Sequence, residues 1–358
     1  MARVHVLGGL LALSVCACGG GGGGTPAASP PPPNPLYVRV AGNDVNSGGD
    51  PADALRTITK AAQIARSGYT IIVGPGTYRE GVTTSSVGVP PQGLTFIADS
   101  TGGQTGDSPG PVVVNAAGSA TAAGFSLSSS PGTIIDGFTI TGGADAGIVI
   151  KSGSSGGSDN FRIQNSVIFG NPGDGIRVQD SGQALIFNNL IYGNAGSGVN
   201  IAGQSSGSPN AHIINNTIFG NQFRGVSVGN TKHASPAAYL RNNIIQNSGT
   251  DFSIKVITDP RSDLNYNGDF NLVRPATYSP SAIMGNHDVS ADALFVNSGA
   301  GDFHLQANSP AMNAGDSLID MIDLQTRLRG RTTIGGNACD KSALDLGYHY
   351  PIVSSCTQ

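Results

Sequence analysis

The sequence predicts an all-β solenoid in which short strands stack in successive coils. Three stretches of fourteen residues superimpose without a gap, and they read NSVIFGNPGDGIRV, NNLIYGNAGSGVNI and NNTIFGNQFRGVSV, at 165–178, 188–201 and 215–228. They recur at steps of 23 and 27 residues, which is typical of solenoid units that bury their apolar faces only by stacking on neighbours. A solenoid offers a long, shallow face, and such a face suits a long, repetitive ligand.

The composition agrees with this fold class. Charged residues make up 12% of the chain and glycine accounts for 53 of 358 residues, which favours turns and apolar strands over helices with charged faces. The formal net charge of -4 provides no general attraction for nucleic acids or for anionic lipid surfaces. We therefore expect no nucleic-acid partner, and contact with a membrane only through a lipid anchor.

The first eighteen residues predict export. Arg3 precedes an apolar run from Val6 to Val15 that is too short to span a bilayer. The segment VCAC resembles a bacterial lipoprotein signal, in which Cys18 fits the acylated position better than Cys16 because a small alanine precedes it. An ordinary secretory signal cleaved nearby is the alternative. Both interpretations export the protein, and the first predicts a lipoprotein of the outer membrane, cell surface or periplasm of a Gram-negative bacterium.

A linker is predicted to separate the signal from one folded domain. Residues 19–35 contain a glycine run and the tract SPPPPNP, a flexible piece followed by a stiffer spacer. The domain is expected to hold the coils in 36–290 and a C-terminal cap region in 291–358. Cys339 and Cys356 are expected to form a disulfide in an oxidising compartment.

Aliphatic residues at fixed positions in the repeats predict the core. Those two residues before, and those three residues after, each leading asparagine are Ile163, Ile186, Ile213 and Leu240, and Ile168, Ile191, Ile218 and Ile245. The alternation around them is that of strands, and the intervening glycines and asparagines favour turns. The leading asparagines are predicted to stack in a hydrogen-bonded ladder as scaffold, and they are Asn165, Asn188, Asn215 and Asn242.

One short helix is predicted over 57–66, TITKAAQIAR, just before the first strands of the coils. Its predicted apolar face consists of Ile58, Ala61, Ala62, Ile64 and Ala65. We expect this helix to cover the open end of the stack, because exposed coil edges favour aggregation.

Two segments carry a resemblance to known families. YVRVAGNDVNSG and ALRTITKAAQIARSGYTIIVGPGTYREGV, within 37–82, resemble the opening of bacterial right-handed parallel β-helix proteins of the pectate-lyase-like superfamily. DALFVNSGAGDFHLQANSPAMNAGD at 292–316 and ALDLGYHY at 343–350 resemble the closing region called choice-of-anchor Q. The resemblance implies a right-handed parallel β-helix with an N-terminal capping helix and an irregular C-terminal cap.

The resemblance also implies a range of activities. Relatives bind or degrade polysaccharides as lyases, hydrolases or epimerases, and others have no known activity; fold alone does not transfer function. Relatives with lyase activity use a lysine or arginine as base and several aspartates to hold calcium. The regular coils contain no such aspartate cluster.

Four charged residues form the first candidate site. Aligning Gly147 with Gly175 makes Asp145 and Asp174 diagonal neighbours on adjacent coils. The same alignment turns Arg177 outward and places Lys151 two positions further along the preceding coil. Elimination from a uronate polymer needs a base and a positive group, which Lys151 or Arg177 would provide, with Asp145 and Asp174 as supporting groups or metal ligands. A solvated set of surface ion pairs is the alternative.

Two further groups of residues are weaker candidates. Arg224, Lys232 and His233 would extend a positive track for an anionic chain, although each alone is typical of a solubility residue. DLNYNGDFN at 263–271 has Asp263, Asn265 and Asn267 at the spacing of a calcium loop. Arg274 occupies the position of the required glutamate, so an asparagine-rich turn is the alternative.

Two hypotheses about function follow. The first is an exported, surface-anchored enzyme that binds polysaccharide and cleaves or epimerises uronate polymers. The second is a non-catalytic surface module that binds glycan or a protein partner, with the charged residues incidental. Under both hypotheses we expect a monomer.

Overall fold

The chain folds as the predicted right-handed parallel β-helix. The computed structural model describes residues 34–84, 91–128, 130–151, 160–180, 182–203, 207–230, 236–249, 253–256, 265–279, 281–316, 322–328, 330–335, 339–340 and 343–351. Cys16, Cys18 and Cys356 lie outside these residues, so lipidation and the disulfide to Cys339 stay predictions. Among the described residues, no helix has the length and apolar character needed to cross a bilayer.

Three parallel sheets form the walls of the β-helix within the described ranges. Sheet 1 contains β1 (Pro35–Val38), β2 (Thr70–Val73), β5 (Thr95–Ala98), β8 (Ile134–Asp136), β11 (Phe161–Gln164), β14 (Gln183–Phe187), β17 (Asn210–Ile214), β20 (Ala237–Arg241) and β23 (Asn265–Asp269). Sheet 2 contains β3 (Gly76–Tyr78), β6 (Val112–Asn115), β9 (Thr139–Thr141), β12 (Val167–Phe169), β15 (Leu190–Tyr192), β18 (Thr217–Phe219), β21 (Ile244–Gln246) and β24 (Leu272–Arg274). Sheet 3 contains β4 (Val82–Thr83), β7 (Ala123–Ser128), β10 (Ala146–Lys151), β13 (Asp174–Gln179), β16 (Val199–Gly203), β19 (Val226–Asn230) and β22 (Ile254–Val256).

The remaining elements lie near the two ends of the chain. They are two 3-10 turns, Pro51–Asp53 and Ser298–Ala300, the helices α1 (Ile58–Ile64) and α2 (Ile322–Leu328), and the strands β25 (Phe295–Asn297), β26 (Asp302–Leu305), β27 (Arg331–Thr332) and β28 (Tyr350–Pro351).

Aliphatic columns fill the interior, as predicted. Ile163 pairs with Ile186, Ile186 with Ile213, and Ile213 with Leu240 in consecutive strands of sheet 1. All four side chains are completely buried in one core cluster. The β-branched side chains fit this arrangement because each occupies the same position on the rung above and below. The predicted column is therefore confirmed.

Buried asparagine ladders run beside these columns, one residue later than predicted. The side-chain amide of Asn189 donates to Oδ1 of Asn216 at 3.0 Å, that of Asn216 to Asn243 at 3.1 Å, and that of Asn243 to Asn271 at 2.9 Å. The same oxygens also accept backbone N–H groups of the preceding coil. The ladder thus satisfies turn backbone that has no strand partner, which is what buried polar groups require.

The predicted ladder of leading asparagines is interrupted in its middle. Asn188 donates to Asn165 at 2.9 Å and Asn242 to Asn215 at 3.4 Å. No bond between Asn188 and Asn215 is present, because both amides bind another segment. All four asparagines have positive φ, between 52° and 58°, a left-handed conformation that asparagine tolerates at a tight corner.

That other segment is residues 343–350, which we call the strap. The backbone N–H of His349 donates to Oδ1 of Asn188 at 2.6 Å, and Nδ2 of Asn188 donates back to the His349 carbonyl at 3.0 Å. Nδ2 of Asn215 donates to the Asp345 carbonyl at 3.1 Å. The strap therefore crosses the coils along the asparagine corner and ties the C-terminal region to it.

The rest of the C-terminal region lies against the sides of the β-helix, whereas we predicted only a cap. Phe295 and Phe303 pack with Leu190 and Ile244 on the outer face of sheet 2. Helix α2 adds a second contact, in which its leucines pack on part of the outer face of sheet 1. This happens because parts of these outer faces are apolar, as at Leu190 and Ile244 on sheet 2 and at Phe187 and Ile214 on sheet 1.

Helix α1 is shorter than predicted and covers the N-terminal end of the stack. It contacts β1, β2 and β4, and Thr57 caps it by accepting the N–H of Lys60. Ile58, Ala61 and Ala62 are buried as predicted. Ile64, which we assigned to the same apolar face, is 38% exposed at the end of the helix, whereas Ala65, just past that end, is buried.

The asparagine ladder generates a stability prediction. Asn216→Ala should lower the free energy of unfolding by about 2 to 3 kcal/mol, because the Asn189 N–H and the Ile186 carbonyl lose buried partners. Urea denaturation followed by circular dichroism measures this. Gln222→Ala, at an exposed position in the next turn, should change the same quantity by less than about 0.5 kcal/mol. Equal effects would contradict the structural role of the ladder.

A buried titratable network holds the strap. His349 is fully buried, and its Nε2 lies 3.0 Å from Oδ2 of Asp340. Burial raises the pKa of the nearby Asp345, the charge of Asp340 adds to this, and hydrogen bonds from Thr333 and the Asn313 N–H oppose it.

This network predicts a pH dependence. Because the pKa of Asp345 is higher in the folded than in the unfolded protein, its ionisation costs stability as pH rises above about 4. As pH rises from acidic to neutral, the melting temperature of Asp345→Asn should fall less than that of the native protein. Differential scanning calorimetry across this range checks it, and parallel profiles of the two proteins would refute it.

Candidate functional site

The structure brings three of the four predicted charged residues together on sheet 3. Ala146 pairs with Asp174 and Val149 with Arg177, which confirms the alignment of Gly147 with Gly175. Asp174 begins strand β13, and Asp145 lies just before β10, so both carboxylates lie at the corner that leads into the sheet. Arg177 points outward and bridges the two.

The guanidinium of Arg177 is fully engaged by this cluster. It forms an ion pair with Asp145 and another with Asp174, the second at 2.7 Å from Nη2, and its Nε donates to Asp174 at 2.8 Å. Asp174 is nearly buried, and it also accepts the Ser197 N–H at 2.8 Å and the Asn200 amide at 2.9 Å. The cluster therefore links three consecutive coils.

The electrostatics of this cluster do not suit a base. Burial acts to lower the pKa of Arg177, but the charges and hydrogen bonds of Asp174 and Asp145 outweigh it, and the pKa is raised above the ordinary value. An arginine held in this way stays protonated and cannot take a proton from a sugar carbon. Lys151 is exposed and makes no ion pair with any described residue, so it does not complete the cluster.

Only part of the predicted positive track and of the predicted calcium loop lies within the described residues. Arg224 is only 6% exposed, and its guanidinium lies 3.8 Å above the Phe223 ring, so little of it is available to a long ligand. Lys232, His233 and Asp263 lie outside the described residues. Asn265 and Asn267 lie in the regular strand β23, whose extended backbone is not a calcium loop, and Oδ1 of Asn267 accepts a hydrogen bond from an arginine.

Metal-binding groups are also missing from the described part of the chain. Within it, no three histidine, cysteine, aspartate or glutamate residues lie close enough together to hold a metal ion.

A different group of residues lines a depression on the outer face of sheet 1. In-register pairing places Arg162, Leu185, His212 and Tyr239 in one row on four consecutive coils. Arg162, Leu185 and His212 line a depression of about 340 Å³, together with Gln183 and Asn210 of the neighbouring row. Sequence reasoning missed this row, because the position three residues before each leading asparagine holds Arg162, Leu185, His212 and Tyr239, which share no residue type.

Two side chains in the depression have unused bonding capacity. The guanidinium of Arg162 makes no hydrogen bond or ion pair with any residue that the structure describes. Nδ1 of His212 is buried and has no hydrogen-bond partner among them. Burial lowers the pKa of His212, so its imidazole is neutral at pH 7. The depression therefore offers one fixed positive charge beside a neutral donor and acceptor.

An aromatic residue continues the row toward the C-terminal end. The Tyr239 ring lies 5.2 Å from the His212 ring, and the Arg241 guanidinium lies 4.3 Å from the Tyr239 centroid. Arg241 donates to Asn267 at 2.8 Å, and both line a second depression of about 270 Å³. Cationic, aromatic and amide groups thus follow one another along the axis of the β-helix.

Comparisons with known proteins agree with the fold. Residues 101–218 match the family model described as the right handed beta helix region. Among curated proteins, no sequence matches this chain significantly.

Solved structures that are similar to this chain include those of three proteins. A pectate lyase, Pel9A, is 14% identical with a TM-score of 0.45, covering 89% of this chain and 96% of its own. XylC in complex with xylose is 10% identical with a TM-score of 0.35, covering 73% and 87%. A pectin methylesterase from carrot is 12% identical with a TM-score of 0.37, covering 74% and 91%. Structural similarity at this level of identity gives no information about the activity of this chain.

The Arg177 cluster generates a prediction that separates a structural role from a catalytic one. Arg177→Met should lower the free energy of unfolding by about 2 to 3 kcal/mol, because Asp174 would keep its charge in a nearly buried position without a cation. The matched variant Lys151→Met, at an exposed position, should change it by less than about 0.5 kcal/mol. Urea denaturation measures both, and an unchanged Arg177→Met protein would contradict this interpretation.

Proposed function

We propose that this protein binds an acidic polysaccharide along the outer face of sheet 1, with the depression around Arg162 and His212 as the main contact. The observation that carries the proposal is the guanidinium of Arg162, which pairs with no described residue and lines an open depression that His212 also lines two coils further on. An arginine left without a carboxylate partner suits a carboxylate on a ligand, because its planar donors match that group.

The form of the face supports a long ligand. Neighbouring coils are separated by about 4.8 Å, so the row from Arg162 to Tyr239 extends over roughly 14 Å along the axis. A polymer laid along this row contacts charged, amide and aromatic groups in turn. Asn210 and Gln183 provide amides for hydroxyl groups, and Arg241, held over the Tyr239 ring, continues the row.

A lyase or epimerase acting at the same depression is the second candidate. Both reactions remove the proton next to a uronate carboxylate, which needs a neutral base and a positive group that offsets the developing charge. The lowered pKa of His212 and the charge of Arg162 provide this combination about two coils apart. In this candidate reaction the base is His212, whereas the sequence predicted Lys151 or Arg177.

Export and surface anchoring complete the proposal. The signal that ends at Cys18 would place the β-helix outside the cytoplasm, joined to a lipid by the linker over 19–35. There it would meet polysaccharide directly. Binding of a protein partner by the same face is the outcome to expect if no glycan binds.

Binding measurements with matched variants test this proposal. The purified protein should bind pectin or alginate more tightly than a neutral polysaccharide. Arg162→Gln should weaken this binding about tenfold, because one charge-assisted hydrogen bond is lost. His212→Ala should weaken it as well, whereas Lys151→Gln should leave it unchanged. Isothermal titration calorimetry measures the affinities, and equal affinity of Arg162→Gln and the native protein would refute the site.

The same samples distinguish binding from catalysis. Incubation with the acidic polymers, with and without calcium, is followed by the absorbance of unsaturated uronate. Absorbance that grows with the native protein and is lost in His212→Ala would establish the lyase. Binding without new absorbance or new reducing ends would establish the binding module.

A further inference from the structure

We infer that the N-terminal end of the β-helix is a membrane-contacting surface that fits a bilayer rich in anionic phospholipid. The inference goes beyond glycan binding and rests in part on the proposed anchor at Cys18. It assigns contact with the membrane to the folded domain itself, whereas the sequence predicts contact only through the lipid.

Three of the seven exposed large hydrophobic side chains in the described ranges belong to the N-terminal segments. Val45, Val40 and Ile64 are 86%, 50% and 38% exposed, and all three belong to the segments that surround the first strand and α1. Val45 is the most exposed of the large hydrophobic side chains in the described ranges. Exposed aliphatic groups at one end of a domain are typical of a surface that meets the interface of a bilayer.

Basic side chains without ion pairs lie beside these apolar residues. Arg56 and Arg79 line a depression of about 260 Å³ that also includes Val40. Lys60 lies one turn before Ile64 on α1 and so shares its side of the helix. In the described part of the chain, none of these three cations makes an ion pair.

The neighbouring carboxylates are already bound to backbone N–H groups. Asp44 accepts the N–H groups of Arg56 and Thr57, each at 2.9 Å. Glu80 accepts those of Ile58 and Thr59 at the start of α1, also at 2.9 Å each. These hydrogen bonds hold both carboxylates at the start of α1, and within the described ranges neither forms an ion pair with Arg56, Arg79 or Lys60, so those cations can meet an external anion.

The position of the predicted lipid anchor favours a membrane as the source of this external anion. The described fold begins at Asn34, sixteen residues after Cys18, and its first strand β1 lies at this end of sheet 1. The sequence predicts a glycine-rich piece followed by a stiffer proline tract over 19–35, and a fully flexible chain of that length would have a root-mean-square span of about 20 Å. A lipid at Cys18 would therefore keep this end, rather than the opposite one, close to the headgroups, where each basic residue gains attraction to anionic lipid.

Depth-dependent fluorescence quenching tests the inference on the full-length protein as the cell processes it. Val45→Cys carries an environment-sensitive fluorophore, and Val296→Cys, 52% exposed in the C-terminal region, is the matched control. The proteins are combined with vesicles of phosphatidylglycerol and phosphatidylcholine, or of phosphatidylcholine alone, each containing brominated acyl chains. We expect a blue shift and quenching for the label at position 45 in the anionic vesicles, and neither for the label at 296.

Charge variants separate this surface from the glycan site. Arg56→Gln combined with Arg79→Gln should return the label at position 45 to its behaviour in neutral vesicles, whereas Arg162→Gln should leave the quenching unchanged and weaken only polysaccharide binding. Quenching that is absent from both vesicle types, or unaffected by the double variant, would overturn the inference. Reversal by millimolar inorganic phosphate would also overturn it, since it would indicate a site for free anions.

Discussion

In-register stacking of equivalent residues is the constraint on which the rest of the structure depends. Each coil places an isoleucine directly over another isoleucine and an asparagine amide over the next amide, as from Asn189 to Asn216. The aliphatic columns provide burial, and the ladders satisfy turn backbone that sheet pairing leaves open. The columns and the ladders depend on each other. A column without ladders would leave buried backbone groups at the corners without hydrogen-bond partners, which is costly.

Stacking also determines where chemistry can occur. Residues 23 to 28 positions apart in the regular coils become neighbours on a face, so a surface site is a row of side chains rather than a motif in the sequence. On sheet 3 this brings Arg177 onto two carboxylates that neutralise it. On sheet 1 it places Arg162 and His212 in a row where no carboxylate pairs with Arg162 among the described residues. The same geometry thus produces a closed structural cluster and an open binding face.

The packing of the interior could be predicted from the sequence, whereas the arrangement of side chains on the outer faces could not. The interior was predictable because isoleucine recurs at fixed positions, and Ile163, Ile186 and Ile213 align as expected. Outward positions carry no such periodicity, so Arg162 and His212 gave no local signal. The strap was also unpredictable, because His349 and Asn188 are 161 residues apart and nothing near either indicates the contact. Alignment of the repeats predicted that Asp145, Asp174 and Arg177 lie close together. It could not predict whether a charged side chain is neutralised, because the neighbours on other coils are known only from the fold.

The strap has a consequence for how the protein matures. Its binding corner is assembled from several coils, so residues 343–350 have nothing to dock on until those coils have formed. Coils that form in chain order therefore leave this segment to close last. A molecule in which it has not yet docked lacks Tyr348 in the apolar cluster against which Tyr192 and Phe219 pack, so docking of the strap is the step that completes the outer face of sheet 2.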